Sequence, residues 1–196
     1  KALVLNFDNP ELKKLDLKKE DGSDLIKFLT ALEDNPRMDD ETYTSKIMGR
    51  KLPGLSGEYA NEGITKFGAK DYKGAQESFK KSMLLSKIVG RMDTMLLYNT
   101  ALASEYSADF ISAKKIYDEL IVMKYNVDGA GPDLYKSMFK IYKQEGNNEK
   151  SAEYISNGRK AYPDDNSLLV MELEGFLQSG KNDEALANLN TGITND

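Results

Sequence analysis

Cysteine, histidine and tryptophan are absent from these 196 residues. Without cysteine there is no disulfide and no thiolate chemistry, although the compartment stays open, since exported proteins can also lack cysteine. Without histidine the commonest general base and the commonest metal ligand are missing. There are only five prolines, and glycine falls mostly between periodic stretches, which disfavours a turn-rich all-β fold. No apolar run approaches the roughly 18 to 20 residues that cross a bilayer. The charge excess is small, 27 basic against 32 acidic residues for a net −5, so nothing overall draws the chain to nucleic acid or an anionic membrane. No glycine loop cradles a phosphate, and a serine nucleophile would have only lysine or carboxylate as its base. The carboxylate pairs Asp39-Asp40 and Asp164-Asp165 sit beside turn signals and read as caps and solvated loop charges. With these constellations missing, the expectation is a protein without catalytic residues, metal or cofactor.

What is present is repetition. Apolar residues make up 40% and charged residues 30%, enough for a globular domain with a real core. Tyr142, Gly146, Asn148, Ser151, Ile155 and Gly158 are answered by Phe176, Gly180, Asn182, Ala185, Leu189 and Gly192, each thirty-four residues later. Further back the phase continues at thirty-eight. Ala101 answers Gly63, Asp109 answers Asp71, Phe110 answers Tyr72, Ala113 answers Ala75, and Tyr117 answers Phe79; Ser151 in turn answers Ala113. Such a period marks stacked helix–turn–helix units. Gly63 and Ala75 are small where two helices must approach, Phe79 fills the space beside them, and Asp71 caps the second helix with Tyr72 packing at its start. The four additional residues of the longer period are expected in links around residues 86–91 and 125–131, with Asp93 and Pro132 opening the helices that follow.

The first fifty-odd residues are different. Asn9-Pro10 opens a charged candidate helix that Asp21-Gly22 breaks. A second, DLIKFLTALED, carries Leu25, Phe28, Leu29 and Leu32 on one face and ends at Asn35-Pro36; a third runs from about Asp39 to Arg50, where Pro53 and Gly54 interrupt or kink the chain. Residues 1–55 are therefore expected to form a helical cap or degenerate repeat, and residues 56–196 about four helical hairpins. The opening residues 1–7 (KALVLNF) are too short for a signal-peptide core with its flanks, so Lys1 fits either a mature end or a boundary within a longer chain.

The repeat resembles the tetratricopeptide repeat, whose signature runs W-x2-L-G-x2-Y, then A-x3-F, then P. Tyr135, Tyr142, Gly146 and Pro163 match it in the third unit, and Leu169, Phe176, Gly180 and Ala185 in the fourth. Gly63, Ala75 and Phe79 match in the first, and Ala101, Ala113 and Tyr117 in the second. No unit has the tryptophan, Lys66 and Ser104 replace the tyrosine, and only one unit has the proline. Residues 61–189 also resemble tetratricopeptide proteins of Bacteroidetes bacteria, many of them exported. That likeness implies a periplasmic or exported protein, with the cytoplasm as the alternative. The resemblance implies an all-α, right-handed α-solenoid with a helical N-terminal region, in which the first helix of each unit lines a concave groove.

By the same resemblance the groove is lined by Ala60, Asn61, Ile64 and Phe67, then Tyr98, Asn99, Leu102, Glu105 and Tyr106. Lys136, Lys140 and Lys143 follow, then Val170, Met171, Glu174 and Gln178. Asn61 and Asn99 occupy equivalent positions, where their amides either hold a partner's backbone or serve a neighbouring helix or water. Lys136, Lys140 and Lys143 share one helical face, suited to an acidic peptide or simply solvated. Met95, Met138 and Met171 are expected in the core or groove. Some tetratricopeptide proteins clamp a C-terminal carboxylate. Here only Asn99 fits, while Ala60, Ile64, Asp133 and Ser137 cannot form that clamp. The expected function is a protein–protein interaction scaffold that takes a peptide or partner protein in the groove. The alternative is assembly through end-to-end self-association, with a homodimer formed through the apolar side (Ala185, Leu186, Leu189, Ile193) of an uncapped last repeat.

Overall fold

The computed structural model describes residues 47–178, together with Lys14, Asp24, Lys27, Asp183 and Leu186. The candidate helices before residue 47 and the second helix of the fourth repeat lie outside the described residues. Within them every regular element is helical: a π-turn at Ile47–Lys51 and a 3-10 turn at Val127–Gly129 accompany seven α-helices. These are α1 (Leu52–Gly68), α2 (Tyr72–Ile88), α3 (Thr94–Tyr106), α4 (Phe110–Val122), α5 (Gly131–Gln144), α6 (Asn148–Ala161) and α7 (Asn166–Gln178). The chain divides into two compact units, Lys1–Ala108 and Asp109–Asp196.

One turn recurs. Lys70, Ala108 and Gly146 stand thirty-eight residues apart, and each takes a left-handed backbone, with φ of 63°, 61° and 75°. The next residue caps the following helix in every case. The side chains of Asp71, Asp109 and Asn147 accept from the backbone N–H groups of Gly74, Ser112 and Lys150. A left-handed residue ends a helix by turning its last carbonyls back onto the chain, and the cap satisfies one orphan N–H of the next helix. Asp93 caps α3 in the same way, and Pro132 lies in the first turn of α5.

In the first unit α1 packs antiparallel on α2, and α2 on α3. The buried stripe of α2 runs Ala75, Ser78, Phe79, Ser82, Leu85, a helical spacing that covers one face. Gly63 lies against the ring of Phe79, so close that a Cβ there would overlap it. Ala75 and Phe79 are almost fully buried with Leu96 and Ala103, and Ala60, Phe67 and Met83 pack around them. Near the other end of α1, the Ser56 hydroxyl donates to the Ser82 carbonyl at 3.0 Å, and Ser82 returns a bond to the Ser56 carbonyl at 2.7 Å. Ser86 joins them at 2.9 Å.

That serine cluster explains a departure from the expected links. α1 and α2 are each 17 residues long, against 13 in α3 and α4. The additional residues near 86 form one more turn of α2, not a longer link, because Leu85 is fully buried and Ser86 finds a partner on α1. The other insertion does lie in a link, residues 123–130, which folds the 3-10 turn and is fastened by Asn126 accepting from the Gly131 N–H at 2.8 Å. Pro53 and Gly54 stand where an interruption was expected. They sit in the first turn of α1, directly after the π-turn Ile47–Lys51, where the missing proline N–H accompanies the break in regular helix.

In the second unit α4 packs on α5, α5 on α6 and α6 on α7, each antiparallel, so α5 and α7 run parallel and touch. Leu134, Met138 and Ile141 form the buried stripe of α5. Phe139, Ile155 and Leu168 make a core flanked by Tyr135, Tyr162 and Met171. Gly158 is small because a Cβ there would lie 2.8 Å from the Cβ of Tyr135. Charged and aromatic groups add a clasp. Lys114 pairs with Glu145 at 2.6 Å and sits 4.8 Å from the ring centre of Tyr142; Tyr142 stacks on Tyr154, whose hydroxyl donates to Asp118.

Candidate functional site

Each unit carries one part of the expected groove. In the first, α1 presents Asn61 and Ile64 at its surface, with Ile64 55% exposed. Phe67, on the same helix, is half-buried and meets Tyr106 of α3 edge-to-face, ring centres 5.6 Å apart. Tyr106 also stacks on Tyr72 at 5.0 Å and is nevertheless 58% exposed. Tyr98, Asn99 and Leu102 are half-buried along α3. Among the described residues neither the Asn61 nor the Asn99 amide makes a hydrogen bond, so the option of a neighbouring helix is not the one taken. Phe67 and Tyr106 were expected to line the groove; the structure brings them into contact. Tyr72 was expected only to pack at the start of α2. It completes the aromatic cluster, and its place immediately after the capping Asp71 was the signal.

In the second unit the three lysines of α5 separate into two kinds. The ammonium of Lys136 lies 3.2 Å from Asp133 and 3.1 Å from Asp165, with its side chain only 16% exposed. It is an internal fastening between α5 and the start of α7, so Lys136 is held differently from the other two lysines of that face. Spacing along α5 could not reveal this, because Asp165 belongs to another element. Asp165 also accepts from the Leu168 N–H and the Ser167 hydroxyl. Burial alone would raise its carboxyl, but those bonds and the Lys136 charge outweigh it and bring the group down to about 2.

Lys140 and Lys143 are exposed and make no ion pair among the described residues. They border a cavity of about 460 Å³ whose other lining is Phe139, Gln144, Met171 and Glu174. Lys143 stands 5.2 Å from the ring centre of Phe139. Met171 is half-buried and Met138 fully buried, whereas Met95 is 51% exposed and is not part of the core.

A larger cavity, about 730 Å³, opens between α5, α6 and α7 against Ile155, Phe176 and Glu172. It was not foreseen. Glu172 is 9% exposed and faces Arg159 at 3.8 Å. Burial raises its carboxyl, against the lowering pull of Arg159 and Lys160. Arg159 also donates to the Pro163 carbonyl, so this pair fastens the α6–α7 turn.

No model of a known protein family matches the chain, and no curated protein matches it. Among the described residues no three acidic side chains come close enough to hold a metal ion, and no helix is long and apolar enough to cross a membrane.

Proposed function

We propose that the chain is a tetratricopeptide-like, right-handed solenoid that binds a segment of another protein in its groove and has no catalytic role. The observation that carries this reading is the pair of amides, Asn61 and Asn99, without a hydrogen bond among the described residues, at equivalent repeat positions on the two helices that also bring Phe67 and Tyr106 together. An amide both donates and accepts, which suits a peptide backbone, and aromatic rings give area at little entropic cost. The recurring left-handed residue and cap support the repeat itself. Replacing Asn61, Asn99 and Tyr106 together by alanine is expected to abolish capture of a peptide ligand while leaving the helical circular dichroism intact. Unchanged capture would remove the reading. The expected export is part of the same proposal and is tested by fractionating the source cells.

Self-association is a second reading, favoured by the exposure of Leu177 (59%) and Leu186 (60%) in the last part of the chain. Light scattering that stays at the monomer mass at high concentration would sink it.

A further inference from the structure

The seam between α5 and α7 is closed at one end and open at the other. Where both helices begin, Lys136 bridges to Asp165. One turn further along α5 the seam widens into the 460 Å³ cavity. It is a surface depression open to solvent, not an enclosed pocket. Its lining is apolar, Phe139 on α5 and Met171 on α7, and methionine adapts its shape to what it meets. Lys140 and Lys143 stand three residues apart on one side, which places both ammonium groups on the same helical face. Neither is neutralised by a described carboxylate, in contrast to Lys136 on the same helix. The Gln144 amide adds a donor and an acceptor, and Glu174 stands on the α7 side.

We infer that this cavity seats one apolar side chain of a short acidic segment of another protein, with an adjacent carboxylate held by Lys140 and Lys143. The inference deepens the groove reading and rests on it. Glu174 sets direction: it repels a second acid on the α7 side, so the carboxylate must lie toward α5. It also argues against a polyanion such as RNA, whose continuous phosphates could not avoid Glu174.

The test uses the full chain. Short random peptides displayed on phage are selected against it, and enriched peptides are titrated by fluorescence anisotropy. The expected motif is Asp or Glu next to Phe, Leu or Met. The Lys140→Ser/Lys143→Ser double variant should weaken these peptides roughly fivefold to tenfold, as two exposed ion pairs allow. Glu174→Lys should tighten them about threefold, a gain that no misfolding would mimic. Both effects should shrink as salt rises. Enriched peptides without acidic residues, or acidic ones indifferent to the lysine changes, overturn the inference but leave peptide binding standing. If no peptide is enriched, both fail. A mixed-sequence RNA that binds as tightly and loses affinity in the same double variant overturns the inference in favour of a phosphate site.

Discussion

In the first unit α1 and α2 meet mainly through small neutral groups, Gly63 beneath Phe79 and Ser56 among Ser82 and Ser86, with Lys66 donating to Ser78 and Lys81 over the Tyr59 ring beside them, whereas the described helices of the second unit are also joined by ion pairs. There Lys114 reaches Glu145 and Tyr142, Tyr154 reaches Asp118, Lys136 reaches Asp165, and Arg159 reaches Glu172. The turn that precedes α2 and the one that precedes α6 are nevertheless the same. One repeat geometry thus rests on two chemistries. Close neutral packing is sensitive to volume and indifferent to salt and pH. Charged clasps at half-exposed positions tolerate changes of volume better but respond to both.

The contrast is broken most severely at Phe79. Phe79→Ala removes a fully buried ring and is expected to destabilise by about 3–5 kcal/mol. Native-state hydrogen exchange should place the loss in α1 and α2. Gly63→Ala, which pushes a methyl into the same ring, should destabilise by about 1–3 kcal/mol. That loss should shrink in a Phe79→Leu background, because the two positions share one space. Additive effects would show that Gly63 has another role.

The caps sharpen the comparison from the other side, since they are what the two units share. Asp71→Ala and Asn147→Ala should each destabilise by about 0.5–2 kcal/mol, and by similar amounts. A large difference, read by chemical denaturation, would mean that the turns are alike in shape only.

This shared framework is what the sequence made legible. Gly63, Ala75, Phe79, Asp71 and Asp109 announce small contacts and caps through residue type and spacing, which are local properties. The additional turn of α2 was misplaced into a link, because its cause, Ser86 bonding to Ser56 on another helix, leaves no mark in the local pattern. The site was legible in the same measure. Lys140, Lys143, Met171 and Glu174 were placed in the groove by repeat position and line one cavity. The commitment of Lys136 depends on Asp165, and the cavity beside Glu172 depends on three helices; spacing along one helix carries neither.

A smaller effect is expected at Tyr154. Burial raises its hydroxyl above the ordinary 10, helped by the bond to Asp118 and the charges of Asp118 and neighbouring groups. A group whose folded value is raised contributes stability below its unfolded value, and that contribution is lost as pH rises through the folded one. Tyr154→Phe should therefore lower neutral stability by about 1 kcal/mol and flatten the alkaline decline of the second unit. An alkaline limb as steep as before would detach that decline from the clasp.

The smallest effect has the most distinctive shape, because two carboxyls in the second unit titrate in opposite senses. Glu172 is raised above 4.5 by burial, so the folded state binds its proton more readily than the unfolded chain, and mild acidification from neutrality should add slightly to stability. Asp165 is lowered to about 2 from 3.8, so its contribution is full above 3.8 and is lost as pH falls from there toward 2. Stability of the second unit should thus rise a little and then fall on the way to strong acid. Glu172→Gln should remove the rise and keep the fall. Lys136→Met should soften the fall without erasing it, since Ser167 and the Leu168 N–H still hold the carboxylate, and should lower neutral stability by only about 0.2–1 kcal/mol. The first unit has no buried carboxyl among its described residues and should lack the rise in the same hydrogen-exchange series. A first unit that follows the same acid curve would mean that the two chemistries do not divide along the two units.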